Sequence, residues 1–380
     1  MTLPARQSAF LWGARKTGKS TYLKAHYPES TYYDLLKSDL YLKLLKQPHI
    51  LREELIALEK ERPETLVIID EIQKVPILLD EVHWLIENTS LQFILCGSSA
   101  RKLKRGAANL LGGRAWKFHF MPLVYPEIIE IDLLRALNHG LLPSHYLSLN
   151  IHRSMQSYVE DYLIEEIQAE GLVRNLPAFA RFFDSLGFSQ GTPVNFTNIA
   201  RDCGVDAKTV KEYYQILIDT LLGYFVYPFH KKQHREQISG MPKFYLFDVG
   251  LAAYLGKIRL EILKGAQAGV LFEHYLLMEL MAYNKLSEIN YSISYWRTKS
   301  GLEVDFILGD AEVAIEAKIS AQIDKRDLKG LVAFLEQFPS ATAYLVALID
   351  RKREVSIDNK TIILLPWREF LSLLWNKKII

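Results

Sequence analysis

Cysteine is nearly absent from this chain, with only Cys96 and Cys203 among 380 residues. Cys96 falls in an apolar, strand-like run and Cys203 in a helix turn, which leaves no material for a disulfide framework or a cysteine-based zinc site. A reducing cytoplasm fits that usage. An excess of one charge is lacking too: 46 Lys and Arg stand against 44 Asp and Glu, a formal net charge of +2. Any contact with nucleic acid must therefore come from local patches and not from an overall basic field. No stretch approaches the ~18 uninterrupted apolar residues of a membrane-spanning helix, and the first residues do not read as a secretion signal. No membrane association is expected, and internal repeats and low-complexity tracts are missing. Core-forming residues are plentiful, at 49% hydrophobic, and a chain of this length divides into two or three domains.

Residues Gly13, Ala14, Arg15, Lys16, Thr17, Gly18, Lys19 and Ser20 spell a complete G-x-x-x-x-G-K-[ST] phosphate loop. Its context is the required one, with a short buried strand over Ser8 to Trp12 before it and a helix from Ser20 through Thr21 to Lys24 after it. Glycine lets backbone N–H groups converge on phosphate oxygens, and the helix start adds its positive dipole end. Lys19 places a point charge between the β- and γ-phosphates, while Ser20 offers a hydroxyl to Mg²⁺. The loop residues through Thr21 are thus the candidate nucleotide-binding set.

Leu66 to Ile69 is an apolar run that ends in Asp70 and Glu71, as a buried parallel strand delivers acids to the edge of a sheet. Asp70 is the expected Mg²⁺ partner alongside Ser20, and Glu71 the residue that orients or deprotonates the attacking water. A third strand, Gln92 to Cys96, leads to Ser98 and Ser99, which are candidate sensors of the γ-phosphate. Arg114 follows Gly112 and Gly113 and has two readings: a guanidinium stabilising the transferring phosphoryl group, in its own chain or a neighbour's, or an ordinary surface arginine.

Four segments are expected: a nucleotide-binding sheet over 1–127, a helical connector or lid over 128–181, a helix-turn-helix region over 182–250 and a separate α/β core over 251–380. Tyr158, Tyr162, Ile164 and Ile167 carry the helical spacing of the second segment. In the third, Gly204 permits a sharp turn between helices, Asp206 caps the second helix, and Leu222–Pro228 with Lys243–Phe247 have the pattern of wing strands. If the unit binds DNA, Lys208, Thr209, Lys211 and Gln215 face the groove and Lys231, Lys232 and Arg235 the backbone. Against that, Glu212 and Asp219 put negative charge on the same element, and such helix pairs also serve as packing modules.

The last segment reads as a long helix, Phe272 to Tyr283, then strands Tyr291–Arg297, Val304–Leu308 and Val313–Ala317. Asp305 and Glu316 on neighbouring strands can converge on Mg²⁺, with Glu273 from the helix as a further ligand. Lys318, two residues from Glu316 and on its face, would position water or stabilise developing charge, as metal-dependent phosphodiester cleavage requires. The spacing is that of a D…E-x-K nuclease core, and a structural core without cleavage is its competitor.

The stretches Ile69 to Pro76, Gly97 to Leu103, Gly171 to Pro177 and Tyr295 to Asp305, taken with the phosphate loop, resemble a large prokaryotic group of AAA-type ATPases. These carry a C-terminal domain of unknown function that is itself similar to restriction-endonuclease-like folds. The resemblance covers nearly the whole chain. It implies an α/β protein with a P-loop parallel sheet, a central helical and winged-helix region, and a C-terminal restriction-endonuclease-like domain. It also implies ATP and Mg²⁺ as cofactors. The expected function is ATP hydrolysis whose nucleotide state controls a nuclease-like domain acting on DNA. The alternative is a non-catalytic regulator or scaffold in which that domain only binds DNA or a protein. Homo-oligomer formation stays open, and the resemblance assigns no contacts to adenine.

Overall fold

The computed structural model of the chain describes residues 3–4, 6–98, 111–163, 173, 175–230 and 240–380. Ser99, Ile164, Ile167, Lys231, Lys232 and Arg235 lie outside the described residues, as do the rest of the stretch up to Leu103 and Gly171, Leu172 and Arg174. The chain forms two compact units, Met1–Pro122 with Ile216–Leu222, and Leu123–Gln215 with Gly223–Ile380.

In the first unit, β1 (Ser8–Trp12), β2 (Thr31–Asp34), β3 (Leu66–Asp70), β4 (Gln92–Gly97) and β5 (Ala115–His119) make a wholly parallel sheet in the order β2-β3-β4-β1-β5. The inner strands β1, β3 and β4 are buried almost end to end, which explains why they read as continuous apolar runs, whereas the edge strand β5 exposes Trp116 and Lys117. Helices α1 (Lys19–His26), α2 (Ser38–Lys46), α3 (His49–Glu61) and α4 (Leu78–Asn88) connect them. Leu51 and Leu55 on α3, and Leu78, Val82 and Leu85 on α4, are buried at helical spacing, so one stripe of each helix closes the core. Trp12 pairs with both Gly97 and His119, and Asp70 with Asp34 and Cys96, so every strand ends at one edge. That edge carries the phosphate loop.

The second unit opens with short helices, α5 (Leu133–His139), α6 (Pro143–Tyr146) and α7 (Ile151–Gln156), followed by a π-helical turn over Ser157–Leu163. After α8 (Leu176–Leu186) come α9 (Phe196–Cys203) and α10 (Ala207–Asp219), of which the residues from Ile216 onward belong to the first unit. The turn between the last two rests on Gly204, whose φ of 68° is left-handed, and Asp206 accepts the Thr209 N–H at 2.8 Å to cap α10. Both features match the helix-turn-helix pattern in the sequence.

The strands suggested as a wing form as β6 (Gly223–Pro228) and β7 (Lys243–Leu246), paired antiparallel. Residues Tyr227 and Pro228 of β6 also pair in parallel with β8 (Ile293–Arg297), so the ribbon is one end of a larger mixed sheet. The remaining elements are α11 (Val249–Leu255), α12 (Ala266–Leu286), β9 (Glu303–Leu308), β10 (Val313–Lys318), α13 (Lys329–Gln337), β11 (Thr342–Ala347), β12 (Arg353–Ile357), β13 (Lys360–Pro366) and α14 (Trp367–Trp375). The sheet runs β12-β13-β11-β10-β9-β8-β6-β7. Along β10, Val313 and Ile315 join the core under α12 and α14, while Ala314 joins Leu331 and Phe334 of α13 on the other face. Helix α12 is apolar nearly all round because it is enclosed, and it buries Glu279 as well. That carboxylate accepts the Tyr125 N–H at 2.9 Å and the Trp375 indole N–H at 2.8 Å, and burial raises its pKa to about 7. Among the described residues, no helix is long and apolar enough to cross a membrane.

Candidate functional site

The chain leaves β1 with the Gly13 N–H donating to the Gly97 carbonyl at 3.3 Å. A Cβ on Gly13 would stand 2.5 Å from the Phe120 carbonyl oxygen, so close backbone approach demands glycine there. Left-handed Lys16 (φ 61°) and Gly18 (φ 102°) curl the loop, and the Thr17 hydroxyl closes it by donating to the Ala14 carbonyl at 2.7 Å. Lys19 is buried at the start of α1, and its ammonium donates to the loop carbonyls of Gly13 at 2.7 Å and Ala14 at 2.8 Å. Burial lowers its pKa, with Glu71 and Asp70 among the charges that oppose the shift.

The acids at the end of β3 meet this loop directly. Asp70 accepts the Ser20 hydroxyl and the Tyr32 hydroxyl on one oxygen, each at 2.6 Å, and the Glu71 N–H on the other at 3.0 Å. A hydroxyl and a carboxylate side by side at a helix start form a hard-oxygen donor set that fits a Mg²⁺ bound to phosphates. Glu71 has a left-handed φ of 59°, which turns its side chain out of the strand direction. Its carboxylate accepts the Gln73 amide and lies 3.8 Å from the Arg15 guanidinium. The Gln73 amide also donates to the Ser98 hydroxyl at 3.0 Å, linking β3 to the end of β4. Burial raises the Glu71 pKa, with Arg15 and Lys19 opposing. Lys19, Ser20, Asp70, Glu71 and Ser98 therefore share one site, with Thr21 exposed on the first turn of α1.

Arg114 is placed elsewhere. It precedes β5, at the sheet edge opposite the loop, and is ion-paired with Glu87. Five residues of extended strand, roughly 16 Å at about 3.3 Å per residue, separate it from the level of the phosphates. It therefore does not reach the γ-phosphate of its own loop.

In the second unit, β9 and β10 bring Asp305 and Glu316 together on neighbouring strands. Asp305 accepts the Ala317 N–H at 2.8 Å, and Glu316 accepts the Lys318 ammonium at 2.6 Å. Burial, then the nearby Glu316, holds the Asp305 pKa well above its ordinary value, and burial pushes Glu316 up to about 7. The other Glu316 oxygen, Oε2, is buried without a hydrogen-bond partner. Two repelling carboxylates and an orphaned oxygen fit a divalent cation held between them.

Glu273 is engaged differently, because Lys243 lies 3.2 Å from its carboxylate and the Tyr245 hydroxyl donates to it at 2.5 Å. The same ammonium meets Glu303 at 2.5 Å and sits 5.2 Å from the Tyr295 ring centre. Burial disfavours this charge, yet Glu273, Asp305 and Glu303 raise the Lys243 pKa overall. Among the described residues, no group of three or more His, Cys, Asp or Glu is arranged to hold a metal ion.

Sequence reading gave no role to Tyr32, Gln73, Lys243 and Tyr245, and took Glu303 only as part of the Gly-x-Glu-x-Asp pattern ahead of Asp305. The one signal available was Lys243, a charge at the head of the apolar strand Lys243–Leu246, since a lysine is almost never buried without a partner. On α10, Lys208, Lys211 and Gln215 are exposed, while the Thr209 hydroxyl donates to Asp206 at 3.1 Å and Lys211 lies 5.3 Å from the Phe196 ring centre.

A strand, loop and helix carrying this set define a P-loop nucleotide-binding unit on a parallel sheet. Residues 5–129 match a family described as an AAA domain. Residues 130–261 match a domain of unknown function (DUF8612), and residues 268–370 another (DUF4143). The chain thus carries an AAA-type ATPase domain followed by these two regions. No curated protein matches it. Among solved structures it is similar to the ORC2 protein of Aeropyrum pernix in its ADPNP-ADP complexes, at 12% identity over 66% of this chain and 88% of that one, with a TM-score of 0.29. The ORC1 protein of Aeropyrum pernix in complex with DNA gives 13% identity, coverages of 66% and 86%, and a TM-score of 0.28. Domain III of the Thermotoga maritima replication initiation protein DnaA gives 18% identity, coverages of 57% and 86%, and a TM-score of 0.22.

Proposed function

We propose that this chain is a Mg²⁺-dependent ATP-hydrolysing switch whose nucleotide state controls a nuclease-like, DNA-acting C-terminal domain. The observation that carries the first half is the Ser20 to Asp70 hydrogen bond, which joins loop and acidic strand end, with Glu71 adjacent and held by Arg15 and Gln73. Ser20 and Asp70 would hold Mg²⁺, which neutralises charge on the phosphates when bound. The Lys19 ammonium exchanges its loop carbonyls for phosphate oxygens, and backbone N–H groups from Gly13 to Ser20 cradle them. Glu71 orients water or takes its proton, and Ser98 contributes a hydroxyl from the adjoining strand end. Glu71→Gln should keep nucleotide binding and lose hydrolysis; turnover at the wild-type rate would refute the assignment.

The second half rests on the Asp305 and Glu316 pair with Lys318 beside it. Asp305 and Glu316 would hold a divalent cation that supplies charge stabilisation at a phosphodiester, while Lys318 keeps a proton and a positive charge at its Nζ. A second reading, a domain that binds without cutting, is favoured by one observation: Lys243 already occupies Glu273, leaving two acids for a metal. Cleavage of several DNA forms with and without ATP, by wild type, Asp305→Ala and Lys19→Ala, separates the two. Loss of cleavage in Asp305→Ala supports the nuclease, and absence of cleavage from wild type supports the binding domain. Arg114, on the edge opposite its own loop, fits a role in a neighbouring copy, which sizing with and without ATP would test. Two free, buried cysteines suit a cytoplasmic setting.

A further inference from the structure

Ser20 and Asp70 suffice as the loop-and-strand pair that faces a phosphate-bound cation, yet a third residue joins them from β2. The Tyr32 hydroxyl donates to the same Asp70 oxygen as the Ser20 hydroxyl, each at 2.6 Å. The other Asp70 oxygen accepts the Glu71 N–H at 3.0 Å. The two hydroxyls fill both lone-pair positions of the shared oxygen. The carboxylate therefore cannot turn about its own bond without breaking a hydrogen bond.

Strand register makes a tyrosine the residue for this contact. Tyr32 lies opposite Ile68 in the parallel ladder, and Asp70 stands two residues further along β3, roughly 7 Å away at about 3.3 Å per residue. A phenol spans that distance, and a serine or threonine hydroxyl does not. The ring is half-buried, with the Lys24 ammonium of α1 at 5.1 Å from its centre, which holds it against the helix that follows the loop. The ladder over Thr31–Asp34 already joins β2 to β3, so the strands do not need the hydroxyl to stay together. What the hydroxyl adds is a fixed orientation of the Asp70 carboxylate.

We infer that Tyr32 is a positioning residue of the nucleotide site, whose hydroxyl holds the Asp70 carboxylate in the orientation that meets Mg²⁺ beside Ser20. The inference rests on reading the loop as a triphosphate site. Tyr32 acts through Asp70 and touches neither nucleotide nor ion, in the way outer partners orient the groups that face a metal. Its contribution is to the metal-dependent part of nucleotide binding, while the phosphate contacts of Lys19 and the loop N–H groups stay as they are.

Calorimetric titration of the full chain with the β,γ-imido analogue of ATP, in EDTA and at stepped Mg²⁺ concentrations, tests it. Wild type should bind the analogue more tightly as Mg²⁺ rises. Tyr32→Phe, which removes only the hydroxyl, should raise the Mg²⁺ needed for half of that gain by about tenfold and leave the affinity in EDTA unchanged. In an Asp70→Asn background the same change should add no further loss, because Tyr32 acts through Asp70. A lower melting temperature of Tyr32→Phe with its Mg²⁺ requirement unchanged overturns the inference and leaves Tyr32 as an edge-strand staple. An equal loss with and without Mg²⁺ overturns it too, since that marks damage to the loop. Wild type that binds no analogue, or binds it equally well without Mg²⁺, refutes the reading of the site itself and takes the role of Tyr32 with it.

Discussion

In the first unit Asp70 and Glu71 are consecutive residues at one strand end, and donors from Ser20, Tyr32, Gln73 and Arg15 meet them. In the second, Asp305 and Glu316 come from adjacent strands, face each other, and leave one buried oxygen unpartnered. Lys19 serves the first site from within its own motif, whereas Lys243 and Lys318 meet the second from the start of β7 and the end of β10, which lie at the same end of the sheet. The first site draws on the loop and the ends of β2, β3 and β4, and gathers hydrogen-bond donors that suit an anionic ligand. The second site crowds two buried carboxyl groups on adjacent strands, which favours a proton or a cation between them.

Four changes would sharpen or break that contrast. The largest effect belongs to Lys19→Ala, which should reduce ATP hydrolysis by about 10²–10³-fold, the loss expected for one preorganised phosphate donor, in a phosphate-release assay. It should leave the melting of the second unit in place. Lys243→Ala removes the cation between Glu273 and Glu303 and should destabilise the second unit by about 3–5 kcal/mol in denaturant unfolding, with the first unit unaffected. An unchanged unfolding midpoint would mean the acids there do not depend on Lys243. Gln73→Ala loosens Glu71 without touching the loop and should lower kcat by about tenfold at unchanged nucleotide affinity, since positioning, and not binding, is lost.

The smallest effect concerns pH. Glu279 has its folded pKa raised from 4.5 to about 7 by burial, so its contribution is fully present below the unfolded value and is lost as pH rises through 7. The second unit should melt lower at pH 8 than at pH 5, and Glu279→Gln should flatten part of that slope. A slope unchanged by the substitution would place the titration in other groups.

The contrast also explains what could be seen in the chain before its structure. Gly13 through Ser20 are contiguous, and Leu66 to Glu71 announces a buried strand, so the parallel sheet and the nucleotide site were legible from local pattern alone. The strands bearing Asp305 and Glu316, and the glycine turn at Gly204, were legible for the same reason. The partners of Tyr32, Lys243 and Glu303 were not, because they are distant in sequence, Gln73 reaches Glu71 across two residues without a pattern of its own, and pairing between β6 and β8 leaves no local trace. Arg114 stood open between a phosphate contact, in its own chain or a neighbour's, and an ordinary surface residue, and the parallel strand direction that sets it at the edge away from its own loop is not written in a glycine-arginine pattern.

The most direct test measures Mg²⁺-dependent phosphate release from ATP by wild type and Glu71→Gln, with nucleotide binding followed in the same samples. Release by wild type alone, with both proteins binding ATP, is the expected result. Equal release by the two, or none from a wild type that fails to bind ATP, would contradict the assignment of this site as the ATP-hydrolysing centre.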